Sequence, residues 1–139
     1  MKLTLNQKKA HDIERHIALT AGAGSGKTAV LVNRYIEILI KKNLRVGQVV
    51  AITFTEKAAT ELRQRIFHEI ENRISDGRDV DKLIEIKGNM ISAQISTIHA
   101  FCSKILREHP IEAEVDIGFR IINGIEQRIS VRNSVKSIL

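Results

Sequence analysis

The glycine-rich run AGAGSGKT at residues 21–28 constrains the fold more than any other feature of the sequence. It follows a short apolar run, Ile17–Thr20, and leads directly into Ala29–Val32, so a strand, a tight turn and a helix are expected in succession. Glycines let the backbone curl until successive N–H groups point at an anion, and the start of a helix adds the positive end of its dipole. The pattern therefore predicts a phosphate-binding loop within an α/β fold.

The end of this run supplies the candidate catalytic residues. Lys27 is expected to reach the β and γ phosphates of a nucleotide, and the Thr28 hydroxyl is expected to ligate Mg²⁺. The general pattern begins with glycine, and here Ala21 stands at that position, so a turn that merely begins a helix is the structural alternative. The glycines and their flanking segments favour nucleotide binding through Ala21, Gly22, Ala23, Gly24, Ser25, Gly26, Lys27 and Thr28.

The charge balance and the cysteine count limit the possible binding partners and the possible cellular compartment. The 22 Lys and Arg residues against 16 Asp and Glu give a net charge of +6, which favours a polyanionic partner such as nucleic acid without defining one. A single cysteine, Cys102, excludes an intramolecular disulfide and fits a reducing compartment. No apolar run approaches the ~18–20 residues of a membrane span, and the N-terminus lacks a secretion signal. These features predict a cytoplasmic protein without membrane association.

The segments after the loop predict a parallel sheet. A helix that begins near Lys27 and is apolar on most of its circumference over residues 30–40 is expected. The β-branched run Val49–Phe54 follows it and is typical of a buried parallel strand. Ile91–Thr97 has the pattern of a third, less apolar strand. Because strands separated by a long helical crossover form βαβ units, the order of elements indicates an α/β architecture.

Further helices are predicted from apolar spacing and from caps. Thr55 is a candidate N-cap for a helix whose apolar stripe recurs every fourth residue, at Leu62, Ile66, Ile70 and Ile74. Cys102 is expected in the core of a later helix, which Pro110 ends. The predicted helices cover residues 4–15, 27–40, 56–74, 80–87, 98–108 and 125–139.

Four motifs in order resemble the first RecA-like domain of superfamily 1 DNA helicases of the UvrD/Rep type. AGAGSGKT matches the phosphate loop of these helicases, including the alanine, and TLNQ at residues 4–7 resembles their adenine-reading Q motif. TFTEKAATELRQRI at residues 53–66 resembles motif Ia, and ISTIHAFC at residues 95–102 resembles the next DNA-contacting motif. GFRI at residues 118–121 is similar to a segment of the AddA and RecB helicase–nuclease subunits.

This resemblance implies a fold and a domain organisation. The fold would be that of a P-loop NTPase, with a RecA-like parallel sheet flanked by helices. Residues 1–110 would form part of the ATP-binding domain 1A, and residues 111–139 would begin a helical 1B subdomain. No apolar run here ends in the Asp-Glu pair of the family, so the chain is expected to be a fragment of a motor that is inactive alone. Its sheet would lack strands that normally flank the phosphate-loop strand, which predicts self-association through an uncovered edge.

The resemblance also implies ligands and a role for each motif. Helicases of this type use ATP and Mg²⁺ to move 3′ to 5′ along single-stranded DNA, and the helicase–nuclease branch acts in recombination and repair with a partner subunit. Gln7 would face the adenine, with a surface glutamine as the alternative. Phe54 would stack on a base, with a core aromatic as the alternative. Thr53, Thr55, Thr97 and His99 would supply further DNA contacts, although His99 also fits a structural helix-start histidine, and Lys57 and Arg63 fit a solvated helix face.

Two other functions stay open at this level. A module that binds nucleotide or nucleic acid without catalysis would carry the same loop and would lack the later acidic strand. A phosphotransferase would also use the loop, but it would leave motif Ia and ISTIHAFC without a purpose.

Overall fold

The computed structural model describes residues 9–20, 22, 24–122 and 124–138. The chain divides into two units, Met1–Phe101 and Cys102–Leu139. Short 3₁₀ turns at Val46–Gln48 and Met90–Ser92 precede the two strands. The helices are α1 (Lys27–Lys41), α2 (Glu56–Ser75), α3 (Val80–Gly88), α4 (Ile98–Glu108) and α5 (Gly124–Ile138), and the strands are β1 (Val50–Thr53) and β2 (Gln94–Thr97).

The strands β1 and β2 pair in parallel. Val50 lies opposite Gln94, and Thr53 lies opposite Thr97, so both strands end at the same edge. The connection between them runs through α2 and α3, which is the long crossover that parallel pairing requires. A parallel sheet flanked by helices confirms the predicted α/β fold class.

The strand predicted at Ile17–Thr20 is wrong. These residues have no regular secondary structure, and Ile17 and Leu19 are exposed. A strand forms where a neighbouring strand pairs with its N–H and C=O groups. Among the described residues, β1 and β2 pair only with each other, so residues 17–20 have no described strand beside them.

Burial of β1 on both faces was also predicted, and this is wrong as well. Ala51 is buried and joins the core beside α2, whereas Val50 and Ile52 are 43% and 46% exposed. The continuous apolar run suits a strand covered by helices on both sides, but α2 packs on one face. β1 also ends one residue earlier than predicted, and β2 begins at Gln94 because the 3₁₀ turn takes up Met90–Ser92.

Helix α2 is the centre of the first unit. The Thr55 hydroxyl oxygen accepts a hydrogen bond from the Ala58 N–H at 3.1 Å, which confirms the predicted N-cap. α2 packs against α1, α3 and both strands, and its predicted apolar stripe is confirmed. The core contains Val32, Tyr35, Ile36, Leu39, Val46, Ala51, Ala59, Leu62, Ile66, Ile70, Leu83, Ile86, Met90, Ala93 and Ile95, with Ile74 partly buried beside it.

The second unit contains most of α4 and all of α5. The predicted bounds of α4 are confirmed, and the predicted C-terminal helix is present as α5. The Arg107 guanidinium lies 4.8 Å from the centre of the Phe119 ring, and Arg120 forms an ion pair with Glu126 at 2.6 Å. Cys102 is exposed, so its predicted place in the core is wrong: the half-buried side of α4 is occupied by larger apolar side chains such as Leu106. No described helix combines the length and apolar character needed to cross a bilayer.

Candidate nucleotide and nucleic-acid site

The glycine loop has the backbone geometry that a phosphate cradle needs. Gly24 and Gly26 have φ angles of +75° and +81°, a left-handed conformation that glycine adopts without steric cost. A Cβ added to Gly22 or Gly24 would meet no heavy atom within 4 Å, so the space beside the backbone is open. Gly26 is the N-cap of α1, and its carbonyl accepts the N–H of Val30 at 3.0 Å. The predicted start of the helix at Lys27 is confirmed.

Lys27 folds back over the loop. Its Nζ donates to the Gly22 carbonyl oxygen at 2.6 Å, and the Ser25 hydroxyl donates to the same oxygen at 2.8 Å. Lys27 and Thr28 are exposed, so a ligand can approach both side chains. A phosphate oxygen carries a full negative charge and is a stronger acceptor for an ammonium group than a carbonyl. The loop therefore fits a polyphosphate.

The loop is also compatible with a magnesium-bound nucleotide. Mg²⁺ in nucleotide sites takes one or two protein oxygens and completes its shell with phosphates and water, and the Thr28 hydroxyl is exposed at the start of α1. Within the described ranges, no group of three His, Cys, Asp or Glu side chains is placed to hold a metal by itself. Gln7, Ala21 and Ala23 lie outside the described residues, so their roles stay predictions.

A second candidate surface lies at the carboxyl ends of the two strands, where parallel sheets present their ligands. Phe54 follows β1 directly, and its side chain is 99% exposed. Its alternative reading as a core aromatic is therefore wrong. His99 is exposed as the second residue of α4, directly after β2. Because Thr53 and Thr97 are paired, the structure brings the two predicted DNA-contacting motifs to one edge.

The threonines at this edge shape the turns. Thr97 is buried, and its hydroxyl donates to Glu56 Oε1 at 2.9 Å and accepts the Ala100 N–H at 3.3 Å. The Thr53 hydroxyl donates to the Thr55 carbonyl at 3.0 Å, while the Thr55 hydroxyl caps α2. These bonds fix the backbone on both sides of Phe54. Sequence analysis identified the Thr55 cap and missed the corresponding cap at Thr97.

Sequence analysis also missed a buried ionic network. Its centre is Arg73, which lies on α2 and is only 6% exposed. Its guanidinium donates to Asn33 Oδ1 at 2.6 Å, Glu37 Oε1 at 2.9 Å and Glu69 Oε1 at 3.1 Å. Asn33 and Glu37 lie on α1, so Arg73 joins α1 to α2. Its position three residues after Ile70, at the margin of the apolar stripe, was the only local signal.

The network lines a groove of about 870 Å³ between α1 and α2, together with His11. Burial raises the pKa of Glu37, but hydrogen bonds from Lys41 and Arg73 outweigh burial, so its pKa is lowered overall. Burial lowers the pKa of His11, and the negative charge of Glu37 raises it. The positive charges of Arg73, Arg34 and Lys41 also lower it, and the net effect is a lowered pKa. At neutral pH, Glu37 is therefore ionised and His11 is neutral.

Comparison with known proteins agrees with this geometry. A parallel α/β fold with a glycine loop opening a helix is the fold of a phosphate-loop protein. The family model described as "UvrD/REP helicase N-terminal domain" matches residues 3–138, and the chain belongs to this family. The resemblance inferred from the four motifs is thereby confirmed.

Curated relatives of the chain are named as one subunit of an "ATP-dependent helicase/nuclease". The protein of Listeria welshimeri is 41% identical over 122 residues, which is 86% of this chain and 10% of the relative. The protein of Natranaerobius thermophilus is 39% identical over 137 residues, with 96% and 11% covered. That of Limosilactobacillus reuteri is 37% identical over 139 residues, with 96% and 10% covered. The chain spans about a tenth of the length of the curated relatives it matches.

Proposed function

We propose that this chain is the ATP-binding N-terminal part of an ATP-dependent DNA helicase that belongs to a helicase–nuclease. The whole enzyme would move 3′ to 5′ along single-stranded DNA in recombination and repair, together with a partner subunit. The observation that carries the proposal is the open space beside Gly22 and Gly24, with Lys27 bonded to the Gly22 carbonyl and opening α1. The family membership and the names of the relatives support the same function.

Each residue of the loop has a part in nucleotide binding. The Lys27 ammonium would leave the Gly22 carbonyl for a phosphate oxygen, and the N-terminus of α1 would add its dipole. Thr28 would supply one oxygen to Mg²⁺, and Gln7 would face the adenine. ATP supplies the phosphoanhydride bond whose hydrolysis drives movement. Hydrolysis also needs a carboxylate beside the Mg²⁺ and an arginine at the γ phosphate, and we propose that these come from other parts of the enzyme.

The strand-end surface would bind the DNA. Phe54 presents a whole ring face to solvent, which is what stacking on a base requires. His99 lies on the same edge as a polar contact for the DNA backbone. Thr53, Thr55 and Thr97 would act there by holding the turns, because their hydroxyls already bond to protein atoms.

The remaining parts of the proposal concern organisation. We place the ATP-binding part at residues 1–110, the start of the 1B subdomain at residues 111–139, and the enzyme in the cytoplasm. We also propose that the isolated chain self-associates through an uncovered sheet edge, because among the described residues β1 and β2 pair only with each other. Light scattering that finds a monodisperse monomer at high concentration would contradict self-association.

Binding of Mg-ATP to the 139-residue chain tests the proposed nucleotide site. The change Lys27→Ala removes a charge-assisted hydrogen bond, so calorimetry should show an affinity loss of about tenfold to a hundredfold. Lys57→Ala is the matched control, because Lys57 is exposed at the second residue of α2. ATP turnover by the unmodified chain should stay at background both in the absence and in the presence of single-stranded DNA. Equal binding by the Lys27→Ala and Lys57→Ala variants would refute the site. Brisk DNA-stimulated ATP turnover would refute the proposal that the hydrolytic carboxylate and arginine come from other parts of the enzyme.

Binding of a fluorescent oligonucleotide tests the DNA surface. Phe54→Ala should weaken binding by about fivefold to 150-fold, the equivalent of one stacked base, because the ring has no packing role to lose. Its thermal midpoint should match that of the unmodified chain, since the side chain is 99% exposed.

The matched control for Phe54→Ala is Ile91→Ala. Ile91 is 98% exposed and precedes β2, so it lies toward the opposite edge of the sheet. Its replacement should leave DNA binding unchanged. If both variants lose affinity equally, nonspecific association of the oligonucleotide with exposed apolar side chains, rather than stacking on Phe54, explains the binding.

A further inference from the structure

Arg34 ties helix α1 to the segment that precedes the glycine loop. Its Nη1 donates to the Ala10 carbonyl at 2.9 Å and also to the Asp12 carbonyl, and its Nη2 donates to the Arg15 carbonyl at 3.0 Å. A single guanidinium thus holds three backbone oxygens that lie 19 to 24 residues away in the sequence. A second tie joins the Lys42 ammonium to the Glu14 carboxylate at 2.6 Å.

Among the described residues, the other contacts of the tethered segment are mostly local: the Asp12 N–H donates to the Lys9 carbonyl at 3.2 Å, and the Glu14 N–H donates to Asp12 Oδ1 at 3.0 Å. Lys9 and Ala10 are helical, residues 11–15 form turns and a bend, and residues 16–20 are irregular and exposed. Ala10 is buried, but residues 14–20 are all exposed. Carbonyls at the end of a helical stretch lack intrahelical partners, and a cation is favoured there. Arg34 therefore supplies three long-range hydrogen bonds and a positive charge to residues 10–15, beside the local contacts and the Lys42–Glu14 ion pair.

Helix α1 links this tether to the phosphate loop. Lys27 opens the helix, and Arg34 follows seven residues later, about two turns and ~10 Å along the same face. In the sequence, Gln7 precedes Ala10 by three residues. The helix thus holds the phosphate-binding lysine at one end and, through Arg34, the segment that continues into the adenine-reading motif.

We propose that Arg34 is a positioning residue for base selection. By fixing residues 10–15 at a set distance from Lys27, it lets the base and the phosphates of one nucleoside triphosphate be bound together. The inference extends the proposed function, because it requires that the chain bind nucleotide. It adds that base recognition depends on a residue that touches neither the base nor the phosphates.

The test compares three ligands, Mg-ATP, Mg-GTP and inorganic tripolyphosphate, on the 139-residue chain. In the Arg34→Gln variant, ATP affinity should fall by about tenfold and the preference for ATP over GTP should shrink by the same factor. Affinity for tripolyphosphate, which has no base, should stay unchanged. Arg34→Lys keeps a cation with fewer donors and should recover part of the preference. The matched control is Arg65→Gln, which loses the same charge from the exposed surface of α2 and should alter none of the three affinities.

Several results would overturn the inference. Equal weakening of ATP and tripolyphosphate by Arg34→Gln would mean that the residue supports the loop or the fold in general. An unchanged ATP preference would mean that the tether has no part in selection. Unmodified chain that binds all three ligands equally would refute the inference while leaving phosphate binding intact, whereas chain that binds none of them would refute the proposed function as well.

A measurement on the unmodified chain covers the case in which Arg34→Gln fails to fold. Hydrogen exchange of the amides of residues 9–15 should slow when ATP binds, because the base engages the segment that Arg34 holds. Tripolyphosphate should leave that exchange unchanged while slowing exchange at the start of α1. Slowing of residues 9–15 to the same degree by both ligands would contradict base selection through this segment.

Discussion

Replacing Arg73 with leucine should lower the free energy of unfolding of the 139-residue chain by about 3 kcal/mol. The guanidinium is the common partner of Asn33, Glu37 and Glu69, and the two carboxylates lie largely buried around it. Leucine fills part of the volume but leaves the partly buried Glu69 carboxylate without its ion-pair partner and leaves Glu37 with Lys41 alone, 3.0 Å away. Urea unfolding at pH 7 measures the loss, which is a large fraction of the stability of a small domain.

The control for this prediction is Arg78→Leu, the same chemical change at an exposed ion pair. Arg78 bonds to Asp76 at 2.6 Å, but both side chains are more than half exposed, so the change should cost less than about 0.5 kcal/mol. The effect of Arg73→Leu should also depend on pH. The pKa of Glu37 is lowered from 4.5, so the stability it contributes is present above pH 4.5 and disappears as the pH falls through the folded-state pKa.

The difference between the unmodified chain and Arg73→Leu should therefore shrink in acid. A difference that stays constant from pH 7 to below pH 4 would mean that packing of the arginine stem, rather than its charge, holds α1 to α2.

Truncating Ile66 to alanine should destabilise the chain by a similar amount, about 3–4 kcal/mol. Ile66 is fully buried in the middle of α2, where α1, α3 and the sheet meet. Removing its outer carbons takes away buried apolar surface and leaves a cavity that three surrounding elements hold open. Alanine is the better helix former, so the local propensity of α2 opposes the loss only slightly. Thermal and urea unfolding should both show the decrease.

Ile84→Ala is the matched control for the core truncation. Ile84 lies on α3 and is 55% exposed, so the same atoms are removed where water already reaches them. Its loss should stay below about 1 kcal/mol. If Ile66→Ala costs no more than Ile84→Ala, the core around α2 must be able to close over the missing group.

The parts of the fold that sequence analysis predicted correctly depend on neighbours close in the chain. The cap at Thr55 and the stripe from Leu62 to Ile74 involve partners three or four residues apart, and the α4 bounds follow from apolar spacing and Pro110. The errors arise where the partner lies far away. Whether Ile17–Thr20 forms a strand depends on a neighbouring strand, and whether both faces of β1 are buried depends on where the helices pack.

The same distinction applies to the candidate sites. The loop from Gly22 to Thr28 is a local pattern, and its open backbone and the start of α1 were predictable. Glu69, four residues before Arg73, is a local partner, but the other partners of Arg73 and those of Arg34 are 19 to 40 residues away, and nothing in the spacing of the sequence identifies them. Thr97 illustrates a third case: the residue was singled out correctly, but the sequence alone does not separate a threonine that caps a helix from one that contacts a ligand.

The hydrogen bond between the Lys27 ammonium and the Gly22 carbonyl reduces the net free energy that an anion gains by binding to the loop. Because the cation already has an acceptor at 2.6 Å, an incoming anion gains only the difference between its own attraction and that of the carbonyl it displaces. A monovalent ion of diffuse charge gains almost nothing from this exchange, whereas a polyphosphate gains at several oxygens at once. Under the proposed function, abundant simple anions would therefore compete poorly, and the loop would stay available for a ligand present at much lower concentration.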